Sequence, residues 1–150
     1  MSPSPDKSLL DHLASDGQTL ATAKTRRLLV IDDEEAIRII LKASLEMTVK
    51  WTVLVAASAE EGMVMAQAEQ PDAILLDVMM PKIDGITLFH QLKAQAMTKH
   101  IPVIFLTAQA REVERKQLEA LGSGVILKPF EPEAIAQQIQ NLLDWKQLAS

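Results

Sequence analysis

Ile74-Leu75-Leu76-Asp77-Val78-Met79-Met80-Pro81 decides the fold. A short, continuous apolar run ends on one carboxylate, and a proline follows four residues later. Such a run suits a strand covered on both faces, as in parallel sheets. Asp77 then stands at the strand's carboxyl end, the edge where open α/β sheets bind ligands. A lone acid there reads more readily as a turn cap. Three other stretches decide between these readings.

Leu28-Leu29-Val30-Ile31-Asp32-Asp33-Glu34 repeats the pattern with two adjacent carboxylates. Val103-Ile104-Phe105-Leu106-Thr107-Ala108 ends on a hydroxyl, and Gly124-Val125-Ile126-Leu127-Lys128-Pro129-Phe130 ends on an amine. If all four strands are parallel in one sheet, their carboxyl ends share an edge. Asp32, Asp33, Asp77, Thr107 and Lys128 then converge in a shallow acidic cup.

Between the strands, apolar residues recur at helical spacing, with Ile37, Ile40, Leu41 and Leu45 expected on the buried face of the first helix and Ile135, Ile139 and Leu142 on that of the last. Five strand–helix alternations are predicted. The strands are 26–31, 51–57, 72–77, 101–106 and a short one opening at Gly124. The helices are 34–47, 58–70, 86–96, 109–121 and a last one ending near Leu148. Ser58 and Glu61 form a capping box at the second helix, and Pro71 ends it. Asp84-Gly85 supplies a turn, and Pro132 a helix start. Parallel neighbours need right-handed crossovers. The expected fold is therefore a flavodoxin-like, doubly wound five-stranded parallel sheet with helices on both faces.

Composition narrows the function. The chain has 150 residues, a formal charge of −5 and no cysteine. One domain is the natural size, and thiol or disulfide chemistry is excluded. The acidic balance argues against binding nucleic acid by phosphate neutralisation. No apolar run reaches the roughly 18 residues of a membrane helix, and no signal peptide is visible. A soluble cytoplasmic protein is expected. Residues 1–25, rich in Ser, Pro, Asp and Thr, read as a flexible extension. Leu9, Leu10 and Leu13 could line a short helix within it. His12, His90 and His100 show no pattern for metal or acid–base work and are expected at the surface.

In these motifs the chain resembles the receiver domain of two-component response regulators, over about residues 26–148. The resemblance rests on Asp32-Asp33, on Asp77 in Leu-Asp-Val-Met-Met-Pro, on Asp84-Gly85, on Thr107-Ala108 and on Lys128-Pro129-Phe130. It implies the sheet order 2-1-3-4-5 and a phosphoacceptor at Asp77. It also implies a Mg²⁺ site formed by Asp33, Asp77 and the main-chain carbonyl of Met79, with Asp32 acting through water. Lys128, Thr107 and the Ala108 amide would neutralise the phosphoryl oxygens, and the Lys128-Pro129 bond would be cis. The partners implied are a sensor histidine kinase or phosphotransfer protein and a downstream protein target. A single-domain regulator is expected, with no direct contact to nucleic acid or membrane.

The chemistry is consistent with that expectation. Two carboxylates about 4 Å apart repel by about 4 kcal/mol at an effective dielectric near 20. An all-oxygen cluster of this kind raises its own pKa values or holds a hard cation. A carboxylate can also take a phosphoryl group as an acyl phosphate. An enzymatic reading, as a nucleotide-binding or phosphatase domain, finds no Gly-rich loop after the first strand and no Asp-x-Asp-x-Thr motif. A receiver fold acting without phosphorylation would not require all five site residues.

Two departures from the family pattern concern output. Gly122 precedes Lys128 by six residues (128 − 122), where the family commonly has seven. Val125 occupies the position, three before the lysine, where Tyr or Phe usually swings inward. Output is therefore expected through the loop from Thr107 to Glu112 and the start of the fourth helix.

Overall fold

In the computed structural model, residues 25–108 and 111–145 are described. The leucines of the N-terminal extension and His12 lie outside them. Strands β1 (Arg27–Ile31), β2 (Thr52–Ala56), β3 (Ala73–Asp77), β4 (Val103–Thr107) and β5 (Gly124–Leu127) alternate with helices. The helices are α1 (Glu35–Thr48), α2 (Ala59–Glu69), α3 (Gly85–Ala94), α4 (Glu112–Leu121) and α5 (Ile135–Leu143). All strand pairs are parallel, in the order β2-β1-β3-β4-β5. The expected doubly wound flavodoxin-like fold is present.

Strand alternation divides the core into two layers. Leu29, Ile31, Ile74, Leu76, Val103 and Phe105 face α2, α3 and α4. Leu28, Val30, Leu75, Ile104, Leu106 and Ile126 face Leu41 and Leu45 of α1 and Ile135 and Ile139 of α5. Every residue of β3 and β4 is buried, which explains why both read as unbroken apolar runs.

Local chemistry sets the helix ends. Ser58 accepts a hydrogen bond from the Glu61 amide at 3.1 Å. Glu61 reaches back one residue beyond the cap, accepting from the Ala57 amide at 2.7 Å. Asp84 caps α3 by accepting from the Thr87 amide at 2.8 Å. Helix α5 is shorter than expected at both ends, opening at Ile135 after a turn over residues 132–134 and not at Pro132. It stops at Leu143, where Asp144 takes a left-handed conformation (φ 57°) and the Trp145 amide bonds the Gln140 carbonyl. Trp145 then meets Trp51 edge-on at 5.2 Å and lies under the Arg26 guanidinium. The buried faces of α1 and α5 are also narrower than their apolar spacing implied, leaving Ile40 and Leu142 partly exposed.

Candidate functional site

Register alone assembles the site. Ile31 pairs with Leu76, so Asp32 and Asp77, each one residue further on, stand side by side. Asp77 pairs with Leu106, which places Thr107 one step beyond it. Thr107 pairs with Leu127, and the Lys128 amide donates to the Thr107 carbonyl at 2.8 Å. The chain runs outward from β1 to β2 and returns across β1 to β3, so the winding reverses between β1 and β3. That reversal opens the crevice in which doubly wound sheets place ligands.

The two buried acids are held in the same way. Asp32 accepts from the Glu34 amide at 2.8 Å, and Asp77 from the Met79 amide at 3.2 Å. Each is a carboxylate bonding the backbone two residues on, the local turn that Asp favours. One oxygen is thereby fixed, and the rest of the carboxylate is aimed at the crevice. Ligand atoms of Asp32, Asp33 and Asp77 lie within 4.8 Å of one another. Asp32 and Asp77 are buried and Asp33 is exposed. Thr107 is buried beside them, and Ala108 reaches solvent. Met79 is 63% exposed at the mouth.

The Lys128-Pro129 bond is cis. The Lys128 Nζ lies 3.1 Å from Asp32, 3.4 Å from Asp77 and 3.0 Å from Glu34. Glu34 is a member of the site that sequence spacing did not single out. It follows two acids and reads as ordinary helix-opening charge. Arg38, one turn later, donates to the Asp32 carbonyl at 2.8 Å.

The electrostatics follow the geometry. Burial, then the adjacent Asp32 charge, push the Asp77 carboxyl up to about 7 against the pull of Lys128. Burial also lifts Asp32 above its ordinary value, with the Glu34 amide and Lys128 opposing. For Lys128, burial lowers the pKa, but the three surrounding acids outweigh it and hold the ammonium at about 12. Asp32 Oδ2 is buried and faces the Lys128 ammonium at 3.1 Å in an ion pair. Three carboxylates with ligand atoms within 4.8 Å of one another outnumber that one ammonium, and such a net-negative oxygen cluster fits a hard cation.

Gly85 fixes the far wall. A Cβ there would fall on the Asp77 carbonyl oxygen and come within 2.9 Å of the Val78 Cα. The Gly85 amide donates to the Val78 carbonyl at 2.9 Å. Its role is close approach to the end of β3, more than the turn that Asp-Gly advertises. His90 and His100 are exposed and apart from the cluster.

Fold and site together define a doubly wound α/β domain with three acids and a lysine at its switch point. The chain belongs to the response regulator receiver domain family, whose model matches residues 28–140. Members of this family bind Mg²⁺ at an acidic pocket. The chain is 35% identical over 126 residues to the alkaline phosphatase synthesis transcriptional regulatory protein PhoP of Bacillus subtilis, covering 83% of this chain and 51% of that protein. It is 35% identical over 124 residues to the response regulator Rre1 of Synechocystis, covering 82% and 54%. The chain thus spans about half the length of the curated relatives it matches. Among solved structures, the Vibrio cholerae chemotaxis protein CheY4 superposes with a TM-score of 0.73 at 28% identity, covering 79% of this chain and 99% of that one. The receiver domain of Francisella response regulator 1452 gives 0.71 at 26%, covering 80% and 98%. Among the described residues, no helix is long and apolar enough to cross a membrane.

Proposed function

We propose that the domain accepts a phosphoryl group on Asp77 from a histidine kinase or phosphotransfer protein and signals through a contact that depends on it. The observation carrying this reading is the buried Asp77 carboxylate, 2% exposed, facing Lys128 at 3.4 Å across a three-acid cluster. Such an acid is costly to leave charged unless chemistry or a cation uses it.

In the reaction, an Asp77 oxygen attacks phosphorus. The new O–P bond forms as the P–N bond of a donor phosphohistidine, or the P–O bond of acetyl phosphate, breaks. The bonding pair leaves with the donor. The product is an acyl phosphate. Transfer chiefly requires neutralisation of the peripheral oxygens. Lys128 supplies one point charge, and Thr107 with the Ala108 amide supplies hydrogen bonds. Asp33, Asp77 and the Met79 carbonyl would hold Mg²⁺ directly, and Asp32 through water. When bound, the ion supplies further charge neutralisation.

A longer relative, PhoP, is named as a transcriptional regulatory protein, and this chain matches about half of its length. The acidic domain is read here as the switched partner in protein contacts. The test is incubation with acetyl phosphate and Mg²⁺ followed by intact mass. One phosphoryl group is expected on the wild type and none on Asp77→Asn. A label on Asp32 or Asp33 of the wild type would overturn the assignment.

A further inference from the structure

Lys128 is shared unequally. An ammonium carries three N–H donors, and three carboxylates surround this one at 3.0, 3.1 and 3.4 Å. Asp32 and Asp77 belong to the buried cluster. Glu34 approaches from outside, with its side chain 59% exposed against 16% for Lys128. Glu34 is also the N-cap residue of α1, yet its side chain makes no capping bond. Its carboxylate bonds Lys128 instead.

A phosphoryl oxygen reaching Lys128 must take the place of one of these acids. Asp32 is fixed by a backbone amide and would remain charged in a dry crevice, and Asp77, fixed in the same way, gives up its carboxylate charge only once its own O–P bond has formed. Glu34 rehydrates at once and is the least costly to displace. We infer that Glu34 is a positioning residue that holds Lys128 at the mouth of the site and competes with the incoming phosphoryl group for its ammonium. This rests on the phosphoacceptor reading of Asp77. It adds a brake on phosphorylation and a consequence, since the transfer frees an acid at the start of α1.

The experiment compares initial rates of Asp77 labelling by acetyl phosphate in wild type, Glu34→Gln and Glu34→Ser. Gln keeps the length without the charge, and Ser keeps a good N-cap oxygen. Both variants should label about two- to fivefold faster at low ionic strength, the range an exposed ion pair allows. The gain should vanish near 1 M salt, where the screening length falls to about 3 Å. A purely structural role at the helix cap would not follow the salt. A labelled wild type with variants no faster, or a gain that persists in high salt, would overturn the inference alone. An unlabelled wild type would remove the phosphoacceptor reading and this inference with it.

Discussion

Asp77→Asn should make the domain more stable, and by an amount that depends on pH. Burial and Asp32 raise the Asp77 carboxyl from 3.8 to about 7. Such a shift corresponds to about 4 kcal/mol against the ionised folded form at pH 8. The sign follows from proton counting. Between about pH 4 and pH 7 the folded protein keeps a proton that the unfolded chain has released. Stability therefore falls as pH rises through that window and levels off above it. Asn is nearly isosteric, can still accept from the Met79 amide, and does not titrate. Lys128 retains Asp32 and Glu34 as partners. Because the acids titrate together, about 2–4 kcal/mol of stabilisation is expected at pH 8, shrinking to about 1–2 kcal/mol at pH 5. For a domain of this size, the pH 8 gain raises Tm by roughly 10 °C. The assay is thermal and urea unfolding of both proteins in EDTA at the two pH values. A gain of equal size at pH 5 and pH 8, or a variant less stable at pH 8, would refute the argument.

Three further outcomes are expected. Mg²⁺ should raise the Tm of the wild type in proportion to its occupancy, with Asp33→Ala abolishing both that rise and the labelling; labelling undiminished in EDTA would contradict the cation site. Lys128→Ala should slow labelling by acetyl phosphate, whereas Thr107→Ala should label and lose the conformational response, read by amide NMR with the phosphoryl analogue beryllofluoride; equal loss of labelling in both variants would remove the distinction. Gly85→Ala should cost about 2–3 kcal/mol or more, since its methyl meets backbone that cannot step aside, and denaturant unfolding measures this directly.

The β strands were the most legible part of the sequence. A strand covered on both faces admits little but apolar residues, and the runs of β1, β3, β4 and β5, though not β2, each ended at a residue of the candidate site. Five site positions followed once the strands were taken as parallel, because register does the rest. What was not legible depends on a third dimension. Glu34 looked like helix-opening charge, and only the approach of β5 gives it Lys128. Gly85 looked like a turn residue, and only the path of β3 shows the missing room for a Cβ. Ile40 fitted the helical period of α1 but faces outward, because a helix laid on a sheet buries a stripe narrower than its apolar set. The end of α5 came early because Asp144 adopts a left-handed conformation that its type tolerates but does not require.

The route from site to surface follows from where the rings sit. Val125 pairs with Phe105 and packs into the α2–α4 layer. A β-branched side chain there has little rotamer freedom and no ring to swing. The aromatic mass lies one strand inward, at Phe105, which is fully buried and leans on Phe89 at 5.3 Å. Gly122 closes over it, for a Cβ on that glycine would come within 2.9 Å of the ring and 2.7 Å of the Val103 carbonyl. The loop one residue shorter than the family pattern is thus the loop that seals Phe105 in place, and a sealed ring cannot serve as the moving part. A signal from Asp77 can bias only an element with two arrangements. The loop expected to move, Thr107 to Glu112, includes residues 109–110, which lie outside the described residues. With no ring on Val125 and Phe105 enclosed, the described element left is the start of α1, which opens at Glu34, whose carboxylate is the one that Lys128 can release.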